Sequence, residues 1–142
     1  MRLIQLPLVS MGVLVCAASV LGYAAAHAQA RPAFPKVERV LTQALDDIDG
    51  REVRMEVVTF APGAEATQHR HPGHVFVYVL EGEIVSQLDD GPAETFKAGD
   101  SFYEPTDGLH AVTRNPSDTD AAKILVTMIM HEGKPSLTLH AH

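Results

Sequence analysis

Gly63 to Gly82 reads GAEATQHRHPGHVFVYVLEG, and the fold is decided by how this stretch is read. A glycine is followed by two histidines one residue apart, a Pro-Gly step, a third histidine and a run of β-formers. Side chains alternate with period two in an extended chain, so His69 and His71 project from one face with about 6.6 Å between their Cα atoms. Both imidazoles then reach one metal ion at about 2.1 Å per Zn–N type bond. A third histidine on the same terms is His110, 39 residues beyond His71 and at the end of a second glycine-led stretch, GDSFYEPTDGLH from Gly99. The pattern predicts a small metal-binding β-barrel.

Working outward, Val53, Met55, Val57 and Thr59 alternate with Glu52, Arg54, Glu56 and Val58, which describes a strand with one face on a core. Ala61-Pro62-Gly63 ends it. Val75 to Leu80 is apolar on both faces, which predicts a central strand covered on the outside by the N-terminal arm or by a second subunit. After the Glu81-Gly82 turn, Glu83 to Leu88 returns, and Asp89-Asp90-Gly91-Pro92 signals a hairpin. Short strands follow over Thr95 to Lys97, Ser101 to Glu104 and His110 to Arg114, then a last long strand over Ala121 to Met130, punctuated by Gly, Pro and Asp turns. Seven or eight such strands, with no βα alternation, predict an all-β sandwich or jelly-roll barrel over residues 51–130. Residues 131–142 read as a polar, frayed tail. The arm at residues 31–50 has two readings. Val37, Val40, Leu41, Ala44, Leu45 and Ile48 recur at helical spacing, while Val37 to Thr42 also suits a short strand. The β character of everything after it favours the strand.

The first residues read as a processing segment. Arg2 gives a positive start, Leu3 to Tyr23 is almost wholly apolar, and Ala26-His27-Ala28 and Ala28-Gln29-Ala30 are small-x-small endings. This predicts a signal peptide over residues 1–28, cut after Ala28 or Ala30, and export to the periplasm or outside the cell. The competing reading is an uncleaved anchor, since the run approaches the about 20 residues that span a bilayer; Pro7, Ser10 and Ser19 interrupt it. Cys16 is the single cysteine and leaves with the segment, so the mature chain has neither disulfides nor thiolate ligands. Losing Arg2 leaves ten basic residues against eighteen acidic ones, a formal charge of −8 with histidines neutral. Nucleic acid and anionic lipid, both bound through Lys and Arg, are thereby disfavoured as partners.

The two glycine-led stretches, in this order, resemble the motifs of a small single-domain cupin. Gly63, His69, His71 and Gly82 fall on the first motif; Gly99, Pro105 and His110 fall on the second. Asp107 stands at the second motif's glycine, with Gly108 one late, and Asn115 is displaced by one. The resemblance covers about half of the mature chain. It implies a double-stranded β-helix barrel, a divalent metal held inside by residues of both motifs, and frequently a homodimer. It implies no single activity, since the same barrel serves dioxygenases, decarboxylases, isomerases, storage proteins and ligand sensors.

One departure matters most: the family's ligand glutamate falls on Val75, which cannot bind a metal. His74 is adjacent but of the wrong parity, and joins the site only if Pro72-Gly73 forms a loop or bulge. The metal site is then three histidines, His69, His71 and His110, or four including His74. Some thiol dioxygenase cupins are similar in lacking this glutamate. Imidazoles suit Fe, Zn, Ni and Cu, and an open three-histidine site favours Fe(II). Tyr103 and Glu104 border the expected cavity, one of them as an ordinary outward or packed strand residue. His131, His140 and His142 read as surface histidines. No catalytic residue is assigned. The leading functional reading is an exported dioxygenase-type oxidoreductase acting on a small molecule, against a non-catalytic small-molecule or metal-binding cupin and a metal-free interaction barrel. The processing reading is checked by mass spectrometry of exported protein, which should find a chain beginning at Gln29 or Arg31. A mature mass that retains Leu3 to Tyr23 would reverse it to a membrane anchor.

Overall fold

Period-two sequence becomes strand throughout the computed structural model, which describes residues 34–140; the signal-peptide reading lies outside the described residues. In chain order the strands are β1 (Lys36–Ala44), β2 (Arg51–Phe60), β3 (His69–Arg70), β4 (Gly73–Glu81), β5 (Glu83–Leu88), β6 (Glu94–Lys97), β7 (Ser101–Glu104), β8 (Leu109–Arg114), β9 (Ala122–His131) and β10 (Thr138–Leu139). They form two five-stranded antiparallel sheets, ordered β1-β2-β9-β4-β7 and β10-β3-β8-β5-β6. No helix occurs among the described residues. The chain is an all-β jelly roll, the double-stranded β-helix that the two motifs imply.

The arm is a strand. β1 pairs along β2 with one register shift between Arg39 and Leu41. Edge pairing satisfies its backbone, which outweighs the helical spacing of its apolar residues, and leaves the whole strand exposed. It does not cover β4, from which β2 and β9 separate it.

The core lies between the sheets. Val75, Val77 and Val79 of β4 meet Ile124, Val126, Met128 and Met130 of β9, with Phe60 and Ile84 closing the cluster. Burying each such side chain contributes about 1.5–3 kcal/mol. The alternate residues of β4, Phe76, Tyr78 and Leu80, are exposed on the outer face with Tyr103 of β7. At the end of β4, Gly82 turns the chain with φ +69, where a Cβ would also stand 2.9 Å from the Ala121 carbonyl oxygen. Asp107, at the family's glycine position, adopts φ 60 itself, a conformation that Asp accepts more readily than most residues.

Two sequence expectations are corrected here. On β2 the buried face is the charged one, Glu52, Arg54 and Glu56, whereas Val53, Met55 and Val57 are turned outward. The reason lies in the segment after His131, which is not a frayed tail. It folds back over the charged face and ends in β10, which pairs with β3. Arg54 Nη1 donates to the Lys134 carbonyl and to Ser136 Oγ, each at 3.0 Å, and Ser136 donates to Glu56 at 2.8 Å. Arg54 also pairs with Glu52, and Arg39 of β1 with Glu56. With these partners the charged face can be buried; without them it could not.

At the end of β8, Asn115 is 1% exposed and holds three chain segments together. Its side-chain amide donates to the Ala61 and Asp120 carbonyls at 3.1 and 2.7 Å, and its oxygen accepts from Ser117 N at 3.0 Å. This places the second motif's displaced asparagine in a structural role at the barrel end away from the histidines.

Candidate metal centre

The site is built where β3 meets β8. His69 is the register partner of His110, and His71 follows two residues later on the same side. All three are buried, and their ring centroids lie 4.6 to 4.9 Å apart. One nitrogen from each lies within 4.8 Å of the others.

Backbone carbonyls set two of the tautomers. His69 Nδ1–H donates to the Thr67 carbonyl at 2.7 Å and His71 Nδ1–H to the Ser136 carbonyl at 2.6 Å. Each leaves Nε2 unprotonated, as metal-ligating histidines require. His110 is buried, and neither ring nitrogen has a hydrogen-bond partner among the described residues. A buried, unpartnered imidazole is costly unless an ion or ligand completes it. Burial lowers the pKa of His69, the bond to Thr67 notwithstanding. It pushes His71 down to about 4, and His110, helped by the neighbouring His69 and His71, down to about 3. At neutral pH the cluster is therefore uncharged and offers lone pairs. The donor set, its convergence and the orphaned His110 all fit a divalent transition metal.

A carboxyl faces this cluster. Glu104 ends β7, is 4% exposed, and brings Oε2 to 3.2 Å from His110 Nε2 and 3.9 Å from His71 Nε2. These approaches are not ion pairs, because burial lowers the imidazole pKa values and pushes Glu104 up to about 8. Tyr103, its neighbour, points outward.

The structure brings His69, His71 and His110 together and leaves His74 apart. Pro72-Gly73 makes no bulge: β4 pairs with β9 continuously as Gly73↔Met130, His74↔Ile129 and Val75↔Met128. Val75 thus faces inward and His74 outward, exposed, with its Nδ1 2.7 Å from the Tyr103 hydroxyl. His74 has no route to the cluster.

From the histidines a cavity of about 220 Å³ runs along the core, walled by Val58, Phe60, Val77, Phe102, Ile124 and Val126. Phe34, Leu137 and Leu139 stand at its edge. Thr113 reaches the same space because Ala111 is an extra residue in β8, between Val112 paired with Gln87 and His110 paired with Leu88. The bulge turns both His110 and Thr113 inward, and the Thr113 hydroxyl has no partner among the described residues. Thr113 and the carbonyl of Ser136 were not singled out from the sequence. A bulge leaves no signature in Leu109 to Arg114, and a carbonyl 65 residues from His71 leaves none at all.

The comparisons agree with this architecture. The family Cupin_2, cupin domain, matches residues 56–130, more than half of the chain, and the protein belongs to that family. A solved RmlC-like cupin with a double-stranded β-helix fold from Methanocaldococcus jannaschii superposes with TM-score 0.57 at 18% identity, covering 68% of this chain and 81% of that one. The DMSP lyase DddQ from Ruegeria pomeroyi gives 0.54 at 22% identity, over 61% of this chain and 42% of that one. An oxalate oxidase in complex with the substrate analogue glycolate gives 0.54 at 24%, over 61% and 45%. At these identities the likeness is one of fold, and the chain spans less than half the length of the two enzymes. No curated protein sequence matches the chain.

Replacing a ligand should cost more than the about 10–100-fold typical of changes behind the ligands. Titration calorimetry of untagged protein should find divalent metal affinity lowered by more than about 100-fold in His69→Ala, His71→Ala and His110→Ala, and within a few-fold of the parent in His74→Ala. Unchanged affinity on removing both His69 and His71 would show that the barrel holds no ion here.

Proposed function

We propose that the protein is a metal-dependent cupin oxidoreductase of the dioxygenase type, with Fe(II) as its ion and a small, largely apolar molecule as its substrate. The observation that carries this reading is the set of three buried, neutral imidazoles at one end of an apolar cavity. Ferrous iron held there supplies a redox-active Lewis acid with coordination positions open to small molecules. The chain's own residues do the rest. The Thr67 and Ser136 carbonyls hold the His69 and His71 rings in place. Val58, Phe60, Phe102 and Val126 exclude water and receive an apolar body. The Thr113 hydroxyl offers one hydrogen bond to orient it.

Two features of setting complete the proposal. Export to the periplasm or outside the cell is supported by the apolar run and its alanine-rich end. A homodimer is supported by the outer face of the first sheet, where Phe76, Tyr78, Leu80 and Tyr103 are exposed beside Val53, Met55 and Val57. Apolar surface of that extent on a soluble domain calls for a cover, and a two-fold axis supplies one from the same face of a second copy.

Mature protein loaded anaerobically with Fe(II) should consume dioxygen when supplied with a small apolar substrate from a panel, and the His110→Ala variant should not. Tight Fe(II) binding without oxygen uptake across the panel would assign the barrel to a non-catalytic binding role. Sedimentation at micromolar concentration should give a dimer, and Tyr78→Glu should give a monomer; a parent that sediments as a monomer would remove the dimer.

A further inference from the structure

We propose that Glu104 is the fourth ligand of the metal centre, so that the carboxylate missing at Val75 is supplied by the neighbouring strand. The inference rests on the metal-binding reading above and deepens it. β4 and β7 are antiparallel, with Val75 directly opposite Glu104. Residues paired in this way point to the same face, with Cβ atoms about 4.5–5.5 Å apart. A carboxylate moved from one partner to the other therefore keeps its side of the sheet, and the two methylenes of a glutamate cover a displacement of that size.

The distances to two of the three histidines agree. Ligand atoms about 2.1 Å from one ion stand about 3.0–3.4 Å apart when adjacent and about 4.2 Å apart when opposite. Glu104 Oε2 is 3.2 Å from His110 Nε2 and 3.9 Å from His71 Nε2. That is the relation of two donors that share an acceptor between them.

The surroundings of Glu104 differ from those of the other buried acids. The other buried acids, Glu52 and Glu56, are held by Arg54, Arg39 and Ser136. Glu104 is equally deep, and among the described residues the ionisable side chains within 4 Å of its carboxyl are His71 and His110. What it faces is the edge of the histidine cluster. Three imidazoles leave the +2 charge of an ion intact, and one carboxylate halves it, which extends the site toward harder ions such as Fe(II) and Mn(II).

The test uses Co(II), followed by calorimetry and visible absorption, on the untagged mature protein. Glu104→Gln keeps the size of the side chain and removes its charge. It should weaken Co(II) binding by at least about 100-fold, beyond the range of changes behind the ligands, and alter the visible spectrum of the bound ion. Because the substitution also removes a buried acid, the metal-free variant should unfold at the same temperature as the parent or higher, which separates ligand loss from misfolding. The double variant Val75→Glu/Glu104→Val returns the carboxylate to the other register partner and should recover affinity to within about 10-fold of the parent. A Glu104→Gln affinity within about 10-fold of the parent would overturn the assignment, as would a loss that the double variant does not recover. If the parent itself fails to bind Co(II), the metal-binding reading has failed instead.

Discussion

At Gly73 the barrel admits no side chain: a Cβ there would stand 2.4 Å from the Ile129 carbonyl oxygen and 2.7 Å from Met130 Cβ. The contact is with backbone in a central strand, so nothing can swing aside. β4 can therefore leave Pro72 and lie on β9 from its first residue, without the bulge that a larger residue would impose. That close approach sets the register of β4, and the site inherits it. Val75 is turned in, His74 is turned out, and the residue opposite Val75 on β7 is Glu104. A one-residue slip would exchange every side chain of β4 between the core and the outer face. His74 would then join the cluster, and Phe76, Tyr78 and Leu80 would have to fit where three valines now pack.

The cluster imposes an electrostatic demand that the fold meets by keeping it neutral. Three imidazoles with ring centroids under 5 Å apart cannot all be protonated in an apolar wall, and burial already holds them deprotonated at neutral pH. The same burial keeps the proton on Glu104 in the metal-free protein. Every group at the site is thus in its uncharged form, and its lone pairs are its main polar asset. A cation is the partner such a set lacks, and His110, with both nitrogens unpaired, shows where the lack is greatest.

How far this could be read from the sequence follows from which interactions have a local signature. Period two and turn residues do, so the barrel, the inward histidines of the first motif and the placement of His110 were all legible. The parity of His74 was legible too, once a bulge at Pro72-Gly73 was excluded, and only the structure excludes it. β2 misled because alternation identifies two faces without saying which is inside; the usual inference, that the apolar face is buried, fails where a distant segment neutralises the charged one. Ser136 and Lys134 lie 80 or more residues from the glutamate and arginine they satisfy. Edge pairing of β1 with β2 likewise overrode a helical spacing that was real in the sequence but had no surface to bury.

The segment that hides the charged face of β2 also serves the site, and the two roles meet in one residue. Ser136 accepts from Arg54 and donates to Glu56 through its hydroxyl, while its carbonyl accepts from His71 Nδ1. The hydroxyl bonds belong to the stability of the barrel; the carbonyl bond belongs to the tautomer and direction of an imidazole at the metal centre. Because both sit on one peptide, the bonds of Arg54 and Glu56 also position His71, although neither side chain is a ligand. Two residues further on, β10 pairs Leu139 with His69 and Thr138 with Arg70, so the same segment braces the strand that carries the other histidine of the motif. The charged strand is thus tolerated inside the barrel because its partners are also the supports of the site. That coupling accounts for a core face of β2 that is polar at the end nearest the histidines, where Glu56 already lines the cavity, and turns apolar further along its wall, at Val58 and Phe60.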